Sequence, residues 1–125
     1  MKDGFVSFEL PFPAKILWPN GRGHWAAKAK AFKEHKAWAF YGLKAMLGPS
    51  LPHTVKDGEP VDWAVTVHPK TANRVDDDNA RASLKAYQDG LAQALGVDDS
   101  WFRPPSLAFG EPVKGGKVIV WVKVR

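Results

Sequence analysis

No cysteine occurs among the 125 residues. That excludes disulfides, thiolate metal sites and cysteine nucleophiles together. No apolar run approaches the ~20 residues of a membrane span. The opening Met1-Lys2-Asp3-Gly4-Phe5 lacks the long apolar stretch of a signal peptide. An intracellular, reducing compartment is the simplest assignment, with no membrane partner. A Walker loop, a nucleophile elbow and a dinucleotide fingerprint are also missing. The four histidines, His24, His35, His53 and His68, are scattered without metal-ligand spacing, so none is assigned to zinc. Acid is scarce in the first part of the chain: residues 1–56 hold nine Lys/Arg against three Asp/Glu, whereas residues 57–125 hold nine against ten.

What is present suits a folded globule. Hydrophobic residues make up 45%, with six Trp and seven Phe, which argues against disorder. The length fits one domain spanning residues 1–125. Phe5 to Leu10 reads as a strand that Pro11-Phe12-Pro13 ends, followed by a turn-rich loop through Trp18-Pro19-Asn20-Gly21-Arg22-Gly23. Trp25 to Leu47 reads as a long amphipathic helix with Phe32, Ala39, Leu43 and Met46 on its apolar stripe, stopped by Gly48-Pro49. Lys28, Lys30, Lys33, Lys36 and Lys44 decorate its other faces.

Residues 49–60 read as a surface loop and Val61 to His68 as a second strand, followed by a basic loop carrying Lys70 and Arg74. A second helix is expected from about Asn79 to Leu95, with Leu84, Tyr87, Leu91 and Leu95 on one stripe and Gly96 as its stop. Ser106 to Val113 and Lys117 to Val124 read as strands joined by Lys114-Gly115-Gly116, a hairpin signal. The order β-α-β-α-β-β predicts an α/β (α+β) domain, a mixed sheet packed by two main helices.

Five acids stand in two clusters, Asp76-Asp77-Asp78-Asn79 and Asp98-Asp99, with the second helix between them. Two like charges ~4 Å apart cost about 4 kcal/mol at a partly buried site, so a fold that joins the clusters needs cations. Magnesium is the usual partner for a few carboxylates plus a phosphate. Together with the basic first half, this points to a metal-dependent phosphodiesterase acting on nucleic acid. Local roles compete with that reading. Asp78 or Asn79 suits a helix N-cap, and Asp98-Asp99 suits a turn. In an extended segment Asp76 and Asp78 share one side and Asp77 faces the other.

Asp78, Arg81, Lys85 and Asp89 lie three or four apart on one helix face. Lys85 then either forms a surface ion pair with Asp89 or reaches the scissile phosphate or attacking water to stabilise negative charge. Lys28, Lys30, Lys33 and Lys36 are candidate phosphate-backbone contacts, with a plain solvated face as the alternative. Lys70 and Arg74, beside the acids, are better placed for that task. His24 and Trp25 are either a turn-packing or a base-stacking pair.

Asp76-x-Asp78-Asn79, Lys85-x-x-x-Asp89-Gly-Leu and Asp98-Asp99 together resemble the RusA family of Holliday-junction resolvases, particularly its phage-type members. Leu10-Pro11-Phe12-Pro13, Pro19-Asn20-Gly-Arg22-Gly-His24-Trp25 and Lys114-Gly115-Gly116 extend the resemblance over roughly residues 5–124. It implies a small homodimeric endodeoxyribonuclease of recombination and repair, bacterial or phage-encoded and cytoplasmic. Such an enzyme cuts four-way DNA junctions by paired incisions. It uses one or two Mg²⁺ per site, with Mn²⁺ as a substitute. By the same resemblance Asp76, Asp78 and Asp99 are the metal-binding acids and Lys85 the catalytic lysine; Asp98 is the alternative to Asp99 as the third acid, or else shapes the turn. Where some members place a basic residue directly before the first Asp, this chain has Val75, with Arg74 one position earlier. Two other readings stay open: a non-catalytic branched-DNA-binding protein that uses its acids for caps and turns, and a metal-dependent phosphatase on small substrates.

Overall fold

Val118, Val120 and Val122 alternate on one face of the most regular strand, and that strand takes a central place in the sheet. In the computed structural model, which describes residues 4–19, 21–48, 59–72 and 75–124, four strands form one mixed sheet. They are β1 (Phe5–Pro11), β2 (Trp63–His68), β3 (Ser106–Phe109) and β4 (Lys117–Lys123), in the order β1-β4-β2-β3. β4 runs antiparallel to both neighbours, and β2 runs parallel to β3. The register stacks Leu10, Val118 and Val67 in one row, Phe8, Val120 and Val65 in the next, and Val6, Val122 and Trp63 in a third. That face is apolar, and the helices cover it.

Helix α1 (Trp25–Leu47) contributes Ala39, Leu43 and Leu47 to the core, and α3 (Lys85–Leu95) contributes Tyr87, Leu91 and Leu95. The two helices pack closely because Gly90 has no side chain: a Cβ there would stand 2.2 Å from the Lys36 carbonyl oxygen. The Tyr87 hydroxyl donates to the Pro11 carbonyl (2.6 Å), tying α3 to the end of β1. His35, buried on α1, is a second tie. Its Nε2 accepts from the Ala14 N–H (3.0 Å) while Nδ1–H donates to the Ala31 carbonyl (2.7 Å), which fixes a neutral tautomer. Burial holds the His35 pKa below its usual value, outweighing the bond to Ala31.

The fold class agrees with the expectation, and several details differ. The hairpin is not formed. Gly115 and Gly116 do make a tight turn at positive φ, but Gly110 N–H bonds Val67 O and Val113 N–H bonds Pro69 O. The segment after β3 is thereby held to β2, and β4 crosses to the opposite edge of β2. The helical stripe of α1 runs Ala31, His35, Ala39, Leu43, Leu47 at strict fourth positions, so Met46 faces solvent and Phe32 is half-buried. The second helix is two helices, α2 (Asp77–Ser83) and α3, broken at Leu84. There the Leu84 N–H reaches back only three residues to Arg81, and Ser83 Oγ donates to the Ala80 carbonyl, both of which tighten the turn. Val61 forms only an isolated bridge to Phe102 ahead of β2, and β3 stops at Phe109. Most of the expected loop at 49–60 lies outside the described residues. No described helix is long and apolar enough to cross a membrane.

Candidate active site

β2 and β3 are parallel, so their C-terminal ends lie at the same edge of the sheet. The chain leaving β2 enters α2 there, which places the first turn of α2 beside Phe109 and Gly110. In open sheets with parallel strands this edge is the usual ligand position. A cavity of about 880 Å³ opens at this point, lined by Pro69, Phe109 and Gly110 on the strand side and by Asp76, Asp77 and Asp78 on the helix side. A larger cavity of about 900 Å³ lies over the open face of the sheet, around Thr66, Trp121 and Ala108. Its charged side chains are Asp62 and Arg103, 3.5 Å apart, so it gathers no comparable chemistry.

The acids divide by what each one holds. Asp76, not Asp78 or Asn79, is the N-cap: its Oδ1 accepts from the Asn79 N–H at 3.0 Å. Asp77 and Asp78 are thus already helical, and the alternation expected of an extended segment does not apply. Asp77 pairs with Arg81 one turn on, at 2.6 Å, and Arg81 also donates to the Pro105 carbonyl, linking α2 to the start of β3. Asp98 caps the short 3-10 turn Asp99–Trp101 by accepting from the Ser100 N–H at 2.8 Å. Asp99 accepts from Lys85. Asp78 is exposed, and its carboxylate has no partner among the described residues.

Lys85 opens α3 and is gripped from two sides, by Asp99 and by Asp89 at 2.9 Å. Of the two alternatives read from the sequence, the i,i+4 pair with Asp89 is made, and a second acid, Asp99, joins it. Burial works against the Lys85 charge, but the hydrogen bonds and charges of Asp99 and Asp89 outweigh it and hold its pKa above the usual lysine value. The hydrogen bond from Lys85 in turn holds the Asp99 carboxyl below its usual range. Gln88 fixes the turn by donating to the Asp99 carbonyl at 3.0 Å.

The expected triad of acids is not assembled. Among the described residues no three His, Asp or Glu side chains come together in a metal-holding group. Asp76 and Asp78 share the cavity at the sheet edge, whereas Asp99 is paired with Lys85, the first residue of α3, and does not line that cavity. The pair still fits magnesium, which commonly takes one or two carboxylates and completes its shell with substrate phosphate oxygens and water. Asp78 offers both of its oxygens and Asp76 offers the one not used for capping.

The basic candidates separate as well. Lys28, Lys30 and Lys33 are exposed on α1. Lys70 is exposed, but its ammonium lies over the Phe12 ring, 5.7 Å from the centroid, and it does not line the acidic cavity. Arg74 lies outside the described residues. His24 caps α1 by accepting from the Ala26 N–H at 3.1 Å, and its ring lies tilted against that of Trp25, 5.5 Å between centroids, while Trp25 remains 76% exposed. Two features escape a sequence reading. Phe109, largely exposed, forms part of the acidic cavity wall although the strand pattern marks it only as apolar. Lys28 and Lys85, 57 positions apart, line one smaller cavity.

The chain is 36% identical over 118 residues to an uncharacterized protein of Xylella fastidiosa (strain Temecula1 / ATCC 700964), a match that covers 93% of this chain and 74% of the relative. It belongs to the same family as that protein. No family model matches the chain.

Proposed function

We propose that this chain is a Mg²⁺-dependent, structure-selective endodeoxyribonuclease of the RusA type, which resolves four-way DNA junctions by paired phosphodiester hydrolysis. The observation that carries the proposal is Asp78. It is the one acid of the two clusters without a partner among the described residues, and it shares with Asp76 a cavity at the C-terminal edge of the parallel strands. Asp76 and Asp78 would hold the metal. The chemistry that magnesium supplies there when bound is neutralisation of the scissile phosphate and a lower pKa for the attacking water.

The remaining roles fall to this chain's own side chains. Lys85 stays protonated because Asp99 and Asp89 hold it, and its ammonium is the group that would meet a phosphate gaining negative charge as it reacts. Asp99 acts in this arrangement as the positioning residue for Lys85. Lys28, Lys30 and Lys33 bind backbone phosphates without regard to sequence. Two incisions require two such sites, so the working form is a homodimer. The setting is the recombination and repair of bacterial or phage DNA in the cytoplasm.

A second reading has a specific observation behind it. Four of the five acids have local tasks: Asp76 and Asp98 cap, and Asp77 and Asp99 pair with cations. A branched-DNA-binding protein without catalysis would need nothing more. The two readings part on metal. A labelled four-way junction and a matched linear duplex are incubated with the protein in Mg²⁺ and in EDTA. Nicking of the junction alone, only with Mg²⁺, is the expected result. Junction binding that ignores Mg²⁺, with no cutting, contradicts it and favours the second reading.

A further inference from the structure

The first six residues of α1, Trp25 to Lys30, are exposed on every side, and the first buried position is Ala31. The start of the helix therefore stands clear of the body. Trp25, Lys28 and Phe32 fall at i, i+3 and i+7, so they form one stripe running from the free end toward the core. At its inner end lies a cavity of about 270 Å³ walled by Leu17, Pro19, Phe32 and Ala86, with Lys28 on one rim and Lys85 on the other. That is the small end of ligand-pocket sizes, suited to a single ring system. Between positions 10 and 33 the chain has five Lys/Arg and no acid. On the far wall Lys85 is held by two carboxylates, Asp89 and Asp99, so the cation of this groove that can meet a phosphate is Lys28.

The Trp25 indole touches the capping His24 ring at 5.5 Å between centroids and leaves most of its surface to solvent. An aromatic platform, then a cation, then an apolar slot is the order of groups along an unpaired nucleic-acid strand: base, phosphate, base. We propose that this groove binds an unpaired dinucleotide step of DNA. One base stacks on Trp25, the linking phosphate meets Lys28, and the next base enters the slot beside Phe32. This rests on the nucleic-acid part of the reading above but not on catalysis. It names the substrate feature selected: strands whose bases are open, as at a branch point, rather than continuous duplex.

The test is run in EDTA, so cutting plays no part. Affinities are measured for a labelled duplex, for the same duplex with a two-thymidine bulge, and for one with a two-residue abasic bulge. The wild-type chain is expected to favour the thymidine bulge over the other two probes. Trp25→Ala is expected to lose about 5- to 100-fold on the bulge, with duplex affinity and circular dichroism unchanged, since Trp25 is exposed. Lys28→Ala is expected to weaken all three probes. Equal binding of abasic and thymidine bulges, an unchanged bulge preference in Trp25→Ala, or competition by polyglutamate as effective as that by single-stranded DNA would each overturn the proposal. Failure to cut junctions in Mg²⁺, by contrast, would remove the nuclease reading and leave this groove standing.

Discussion

At Lys85, two carboxylates converge on one ammonium: Asp99 is exposed, whereas Asp89 is half-buried with its Oδ1 shielded from solvent. The exposed pair with Asp99 contributes about 0–1 kcal/mol to stability, whereas loss of the ammonium would leave the shielded Asp89 oxygen without its cation. Lys85→Met is expected to lower the thermal midpoint, through the uncompensated Asp89, while the folded fraction loses single-turnover junction cleavage by about 100-fold or more. Unfolding without a specific loss of cleavage rate would return Lys85 to a structural role. His35 supplies the opposite case, a residue of folding alone. Its pKa is depressed in the folded chain, so the unfolded chain takes up the proton first as pH falls. The stabilisation is complete above the ordinary value of 6.5 and is lost as pH drops from there toward the folded pKa. Urea midpoints at pH 7.5 and pH 5.5 are expected to show the decline, and His35→Gln is expected to reduce it.

Among the elements, α1 and α3 depend on one close approach and α2 on one cap. Gly90→Ala brings a methyl group into the Lys36 carbonyl and is expected to cost ~2 kcal/mol or more in urea unfolding. Asp76→Ala removes the N-cap bond and is expected to cost about 1 kcal/mol, whereas Asp78→Asn is expected to cost little. Periodicity made the long elements legible: the limits of α1 and the buried valines of β4 stand in the sequence. It did not reveal the break at Leu84, because that depends on Ser83 bonding back to Ala80 and on burial of Leu84 against the core. Nor did Lys114-Gly115-Gly116 disclose that its flanking strands part company. A turn signal specifies a reversal of the chain, and the choice of neighbours belongs to the register with β2.

For the molecule as a whole, the charge asymmetry seen in the sequence becomes a geometry: lysines exposed along the start of α1, and Asp76, Asp77 and Asp78 at one sheet edge. The candidate residues were legible individually, but their grouping was not. Asp99 joined Lys85 instead of Asp76 and Asp78, and Lys28 came to face Lys85, because both depend on how α1, α3 and the 3-10 turn pack. With Lys28, Lys30 and Lys33 all changed to Ala, the slope of log affinity against log salt for junction DNA is expected to fall by about 0.9 for each phosphate that is no longer neutralised. An unchanged slope would place the DNA elsewhere.

The most direct measurement compares Asp78→Asn with wild type, side by side, for Mg²⁺-dependent cleavage of a four-way junction and for its binding. The account predicts abolished cleavage with junction affinity kept or raised, since a negative charge facing phosphate is removed while the capping Asp76 is untouched. Cleavage at the wild-type rate, or loss of binding together with cleavage, would contradict the role given to Asp78.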